Sequence, residues 1–116
     1  MSEYILVLNT VPNEKEAQRL SEALVKERLA ACVTISATCQ SLYWWQGKVS
    51  KEKEYVLFIK TQADLFPELE KKIQEIHSYE VPELIALPIL KGSKKYLDWI
   101  AEETKIVHKR CNSTGE

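Results

Sequence analysis

The stretch Cys32-Val33-Thr34-Ile35-Ser36-Ala37-Thr38-Cys39-Gln40-Ser41-Leu42-Tyr43-Trp44-Trp45-Gln46-Gly47-Lys48 decides the fold. From Cys32 its period is two. Val33, Ile35, Ala37 and Cys39 fall on one side and Thr34, Ser36, Thr38 and Gln40 on the other, as in a half-buried strand. At Ser41 the alternation inverts, because Leu42 and Trp44 continue the polar parity. That inversion predicts a bulge, or an extension that leaves its own domain to meet another surface. Gln46-Gly47 supplies a two-residue turn. The returning strand opens charged, from Lys48 to Glu54, and becomes Tyr55-Val56-Leu57-Phe58-Ile59, so its two ends belong in different environments.

On the N-terminal side of this hairpin, Tyr4-Ile5-Leu6-Val7-Leu8 reads as a strand that ends in the loop Thr10-Val11-Pro12. Asn13 with Glu16 opens a helix in the manner of a capping box, and Ala17, Leu20 and Leu24 carry it at helical spacing to about Arg28. On the C-terminal side, Asp64 is a candidate cap for a second helix with Leu65, Leu69, Ile73 and Ile76 on one face, ending near His77. Pro67 is tolerated there because it lies in the first turn. Leu84 to Leu90 reads as a fourth strand, and Pro88 within it argues for a sheet edge. Gly92-Ser93 begins a last helix with Tyr96, Leu97 and Ile100. The expected domain covers residues 1–107, followed by a frayed, disordered tail from His108 to Glu116.

The order strand, helix, strand, strand, helix, strand, helix is two split βαβ halves plus a terminal helix. The economical fold is an α+β ferredoxin-like βαββαβ sandwich with an extra C-terminal helix. Its first and third strands lie at the sheet centre, and helices cover one face. Yet Tyr4 to Leu8 and Tyr55 to Ile59 are apolar at both parities. The helix-free face therefore needs a cover of its own, which predicts an oligomer joined through the sheet.

Composition narrows the function classes. The chain has 116 residues, 45% of them apolar, with sixteen basic and seventeen acidic residues for a formal charge of −1. Such a balance provides no field for gathering phosphate backbones, so nucleic acid is not an expected partner. Apolar bursts of about five residues fall far short of the ~20 needed to cross a bilayer, and no membrane partner is expected. The opening Met1-Ser2-Glu3 lacks the basic start and apolar run of a secretory leader, which points to the cytoplasm. Cys32, Cys39 and Cys111 form an odd set without a Cys-x-x-Cys pair, so a disulfide framework or zinc knuckle is not expected.

No catalytic constellation emerges. The loop after the first strand lacks the glycine and arginine of an anion nest, and Tyr55 and Phe58 differ in parity, unlike the stacked aromatics of an RNA-binding sheet. Cys32 follows the first helix, where the negative end of the dipole disfavours a thiolate. Glu80 and Glu83 flank Pro82 and read as solvated loop carboxylates. His77 has two readings, a cation that complements the end of the second helix and a metal ligand, since imidazole suits copper or zinc. Tyr43, Trp44, Trp45 and Trp99 read as packing and subunit interface.

Five phrases carry a resemblance: Glu27-Arg28-Leu29-Ala30-Ala31-Cys32, Ser41 to Lys48, Lys60-Thr61, His77-Ser78-Tyr79-Glu80-Val81-Pro82-Glu83-Leu84 and Tyr96-Leu97-Asp98-Trp99-Ile100. In them the chain is similar to the CutA family of divalent-cation tolerance proteins, from Tyr4 to about Thr104. The resemblance implies a ferredoxin-like subunit in a tight homotrimer of PII-like architecture, cytoplasmic, linked to tolerance of copper or another divalent cation, with no established reaction. It also implies that the long hairpin takes part in packing between subunits, with Trp44, Trp45 and Trp99 as trimer contacts. Some bacterial members resemble a copper site made of a cysteine at the end of the first strand and two histidines after the second helix; the corresponding positions are Asn9, Ile76 and His77 here. His77 is thus the metal candidate, and a copper or other divalent ion would be held weakly. Cys32, Tyr43, Lys60 and Tyr79 match family positions that could line a pocket between subunits. A PII-like sensor of small ligands is the alternative function.

Overall fold

The computed structural model describes residues 3–105. Its elements are β1 (Tyr4–Val11), α1 (Glu14–Lys26), β2 (Cys32–Ile35), β3 (Cys39–Trp45), β4 (Lys48–Gln62), α2 (Phe66–Ile76), β5 (Leu84–Pro88) and α3 (Lys94–Glu103). All strand pairs are antiparallel: β1 lies between β4 and β5, β2 pairs with the inner half of β4, and β3 with its outer half. The result is a mixed α+β fold with an antiparallel sheet and three helices. As Pro88 required, β5 is an edge strand paired with β1 alone.

The break in the hairpin falls earlier than its alternation suggested. β2 ends at Ile35, opposite Leu57, and β3 resumes at Cys39, opposite Glu54, so Ser36, Ala37 and Thr38 face Tyr55 and Val56. Three residues against two make a one-residue bulge that reverses parity before Ser41 is reached. The Ser36 amide donates to the Val56 carbonyl, and the Ser36 hydroxyl accepts from the Val56 amide at 2.8 Å. One serine thereby stands in for the ladder across the bulge, and β4 runs through it unbroken. The turn at Gln46-Gly47 has φ of 49° and 80°, the double positive φ of a tight hairpin turn.

The helices follow their caps. Asn13 accepts from the Glu16 amide at 2.8 Å, and α1 stops at Lys26, two residues short of expectation, because Arg28 adopts φ of 62°. Asp64 does not cap α2: residues 63–65 form a 3-10 turn, the N-cap is Leu65, and Pro67 sits in the first turn. Ser93 caps α3 by accepting from the Tyr96 amide.

α1 and α2 cover one face of the sheet. There Ile5, Val7, Leu57 and Ile59 meet Ala17, Leu20, Leu24, Leu69 and Ile73 in the main core. The expectation that helices occupy a single face needs correction. Gln62, on the opposite face, donates to the Thr104 hydroxyl at 2.7 Å, and Ile100 is fully buried without belonging to the main core. α3 therefore lies on the second face, at its β4 end. Beyond it a row of apolar side chains stays uncovered: Leu8 is registered against Phe58 and Ile85, and Leu6 against Leu87. Ile85 is 50% and Leu87 43% exposed.

Candidate functional site

Where β1 ends, the β3–β4 ribbon continues outward, and the loop 78–83 after α2 lies across its base. Between them is a groove of about 880 Å³ lined by Tyr43, Trp45, Glu52, Glu54, Tyr79 and Val81 among others. The register places Tyr43 and Trp45 on the ribbon face that carries Ser50, Glu52 and Glu54. Glu54 is 4% exposed. Its Oε2 accepts from the Tyr79 hydroxyl at 2.7 Å, and its carbonyl accepts from the Cys39 thiol across the ladder at 3.2 Å. Burial, then the bond to Glu54, holds the Tyr79 phenol far above the ordinary tyrosine range. Tyr43 is shifted the same way, by burial first and then by Glu52 and Glu54.

The loop owes its shape to His77. The side chain of His77 has no exposure. Its Nε2 is 2.8 Å from the Thr10 carbonyl, and because a carbonyl can only accept, that nitrogen carries the proton. Its Nδ1 accepts from the Tyr79 amide at 3.0 Å, which defines the neutral tautomer. The Glu16 carboxylate accepts from the Ser78 amide at 2.8 Å and lies 3.6 Å from Nδ1. Glu16 thus ties α1 to the loop instead of returning to Asn13, as a reciprocal capping box would require. The reading of His77 as a cation at the helix end is corrected by this geometry, since both ring nitrogens serve internal bonds.

The other positions expected to assist a metal are placed as follows. Asn9 is fully buried; its Nδ2 donates to the Glu83 carbonyl at 2.7 Å, while its Oδ1 has no hydrogen-bond partner. Ile76 ends α2 and packs against the core. Asn9, Ile76 and His77 therefore offer a metal one amide oxygen, with no thiolate and no imidazole nitrogen outside existing bonds, and they do not fit a copper ion. Among the described residues no group of three or more His, Cys, Asp or Glu side chains could hold a metal ion.

The four pocket candidates form two pairs within one subunit. Tyr43 and Tyr79 share the groove. Cys32 and Lys60 are cross-strand neighbours on β2 and β4, and Lys60 lies six positions along β4 from Glu54, about 20 Å at strand rise. Of the tryptophans, Trp44 and Trp45 stand exposed on the ribbon. Trp99 stacks on Tyr96 on α3, with ring centroids 5.6 Å apart. The sequence alone reads Glu54 as a ribbon charge and Glu16 as a capping residue, and the structure makes both internal partners of the loop. One signal for Glu54 was its place at the junction where the charged end of β4 becomes apolar.

Comparison with known proteins agrees with this architecture. The family model described as CutA1 divalent ion tolerance protein matches residues 5–103. The chain is 48% identical over 99 residues to the divalent-cation tolerance protein CutA of Thermus thermophilus, covering 85% of this chain and 96% of that one. It is 45% identical over 101 residues to the chloroplastic protein CutA 1 of Oryza sativa, covering 87% of this chain and 57% of the rice protein, so it spans little more than half of that relative. Among solved structures, CutA1 from Oryza sativa superposes with a TM-score of 0.87 at 43% identity, covering 90% of this chain and 95% of that one. The divalent cation tolerance protein of Thermus thermophilus gives 0.86 at 46% identity, covering 88% and 99%. The chain belongs to the CutA1 family of divalent ion tolerance proteins.

Proposed function

We propose that the protein is a homotrimeric, cytosolic member of this family, a ferredoxin-like subunit in a PII-like assembly that binds or responds to divalent cations without catalysis. The observation that carries the assembly is the uncovered row Leu6, Leu8, Phe58, Ile85 and Leu87 on the second sheet face. A contiguous apolar surface on a central sheet calls for a partner, and a second and third copy of the same chain supply it. The cation reading rests on the family; Glu52, Glu54, Glu80 and Glu83 line the groove without forming a preformed metal site, so they would attract a cation loosely by their charge. Carboxylates suit hard cations bound loosely.

Isothermal titration of copper and zinc into wild type, His77→Ala and a Glu52→Gln/Glu80→Gln/Glu83→Gln variant, with assembly mass measured in each, tests this. Weak binding that survives His77→Ala and fails in the triple variant supports a groove site. Loss in His77→Ala alone overturns the groove assignment, and no heat with either metal overturns the cation reading. The groove also favours a second reading, a sensor of small organic ligands with clefts between subunits. Thermal stabilisation by nucleotides or metabolites, and not by metals, would select it.

A further inference from the structure

Cys32 and Lys60 lie apart from the groove. Cys32 opens β2, an edge strand, and faces Lys60 of β4 in direct register. Lys60 Nζ donates to Thr34 Oγ1 at 2.6 Å and to Cys32 Sγ at 3.7 Å. From α3 the Tyr96 hydroxyl adjoins the same thiol; burial first, and then the thiol, raises the Tyr96 phenol above its usual range. Among the described residues no carboxylate lies within ion-pair distance of Lys60, so the amine is held by a hydroxyl and a thiol. Within the subunit both Cys32 and Lys60 are half-buried. Cys39, by contrast, donates to the Glu54 carbonyl.

We infer that Cys32 and Lys60 form an oxidation-driven covalent cross-link, a sulfur–nitrogen bond that staples β2 to β4. The oxidant is a peroxide. The Cys32 thiolate attacks the O–O bond, so an S–O bond forms, the O–O bond breaks, and sulfur loses two electrons while the peroxide is reduced to water. The product is the sulfenic acid. Lys60, having released a proton to solvent, then attacks the sulfenyl sulfur with its amine lone pair: S–N forms, S–O breaks, and water leaves. In total one thiol, one ammonium and one hydrogen peroxide give one sulfenamide, two waters and one proton. Two thiols reverse the step and leave as a disulfide. The neighbouring strands hold the two backbones at cross-strand distance, and the flexible four-carbon stem of lysine closes the remaining gap. A flexible surface lysine would have to be found by chance, whereas Thr34 already holds this one beside sulfur.

The test treats the native, assembled protein with hydrogen peroxide and maps its tryptic peptides by tandem mass spectrometry. The expected product joins Cys32 to Lys60, is lighter than the reduced pair by two hydrogens, resists trypsin after Lys60 and reverts with dithiothreitol. Cys39→Ser retains it. Lys60→Arg keeps the positive charge but removes the nucleophilic amine; its Cys32 should then remain a sulfenic acid that dimedone captures, with circular dichroism confirming the fold. The melting midpoint should rise on oxidation in wild type and stay unchanged in Lys60→Arg, because the link closes a long loop between strands. A disulfide or sulfinic acid at Cys32 with cleavage after Lys60 intact, or the same products in wild type and Lys60→Arg, overturns the inference. So does a Cys32 that stays reduced.

Discussion

Tyr79 Oη donates to Glu54 Oε2 at 2.7 Å, and through that bond the loop after α2 is fastened to the base of the ribbon. The phenol is held protonated by burial first and by the carboxylate second. A folded-state pKa above the unfolded value of about 10 means that this stabilisation is fully present below that value and is lost as pH rises through and beyond it. Denaturation measured between about pH 8 and pH 11 should show stability falling at the alkaline end, with a shallower fall in Tyr79→Phe. Phenolate absorbance should show one fewer ionisation-resistant tyrosine in the folded variant than in the folded wild type. Equal slopes for wild type and variant would refute the coupling.

His77 connects three elements with one ring: the Thr10 carbonyl of β1, the Tyr79 amide of the loop and the nearby Glu16 of α1. His77→Phe fills the space but leaves a buried carbonyl and a buried amide unpaired, a loss of about 2–4 kcal/mol. Urea denaturation measures it. A change below about 0.5 kcal/mol, the size of an ordinary surface substitution, would show that water replaces both bonds.

The two histidine readings show how far the sequence carries. Its place at the end of α2 was legible from helical spacing, as were the central position of the first strand and the returning strand in the sheet, the Pro88 edge and the Gln46-Gly47 turn. Its partners were not legible, because Thr10 and His77 are 67 residues apart and the contact is made by a carbonyl, which carries no side-chain signature. The bulge was misplaced for a related reason. Ser36 reads as one polar residue in an alternating run, and its second use, as a substitute ladder partner for Val56, exists only once β4 is alongside. Glu54 likewise looked like one more charge in Lys48 to Glu54 until Tyr79 arrived from the far side of α2. Short-range periodicity survives without tertiary context; polar contacts across long separations do not.

The row Leu8, Phe58 and Ile85 tests the trimer. Ile85 is half exposed in the subunit, so Ile85→Glu adds a charge without opening the main core and should leave the subunit's far-UV circular dichroism unchanged. Buried in an assembly, the same carboxylate is unpaired and costs several kcal/mol at each of the symmetry-related contacts. Light scattering at micromolar concentration should therefore report a trimer for wild type and a monomer for Ile85→Glu. A wild-type monomer, or a variant that stays trimeric, would place the assembly surface elsewhere.

The hairpin tip gives the last prediction. Gln46 and Gly47 both have positive φ, a pair of conformations that lets a two-residue turn follow the right-handed twist of its strands. A Cβ at Gly47 would meet nothing within 4 Å, so the cost of Gly47→Ala is backbone strain alone, about 1 kcal/mol. Gln46→Asn should act in the opposite direction by a few tenths of a kcal/mol, since asparagine tolerates the left-handed region better than glutamine. Because β3 pairs with β4 alone, that strain falls on the ribbon before it reaches the core. Hydrogen exchange of the Tyr43 and Ser50 amides, a hydrogen-bonded pair of the ribbon, should accelerate several-fold in Gly47→Ala while the amides of Val7 and Ile59, at the sheet centre, keep their wild-type rates. Uniform acceleration across both sets would mean that ribbon and sheet open as one cooperative unit.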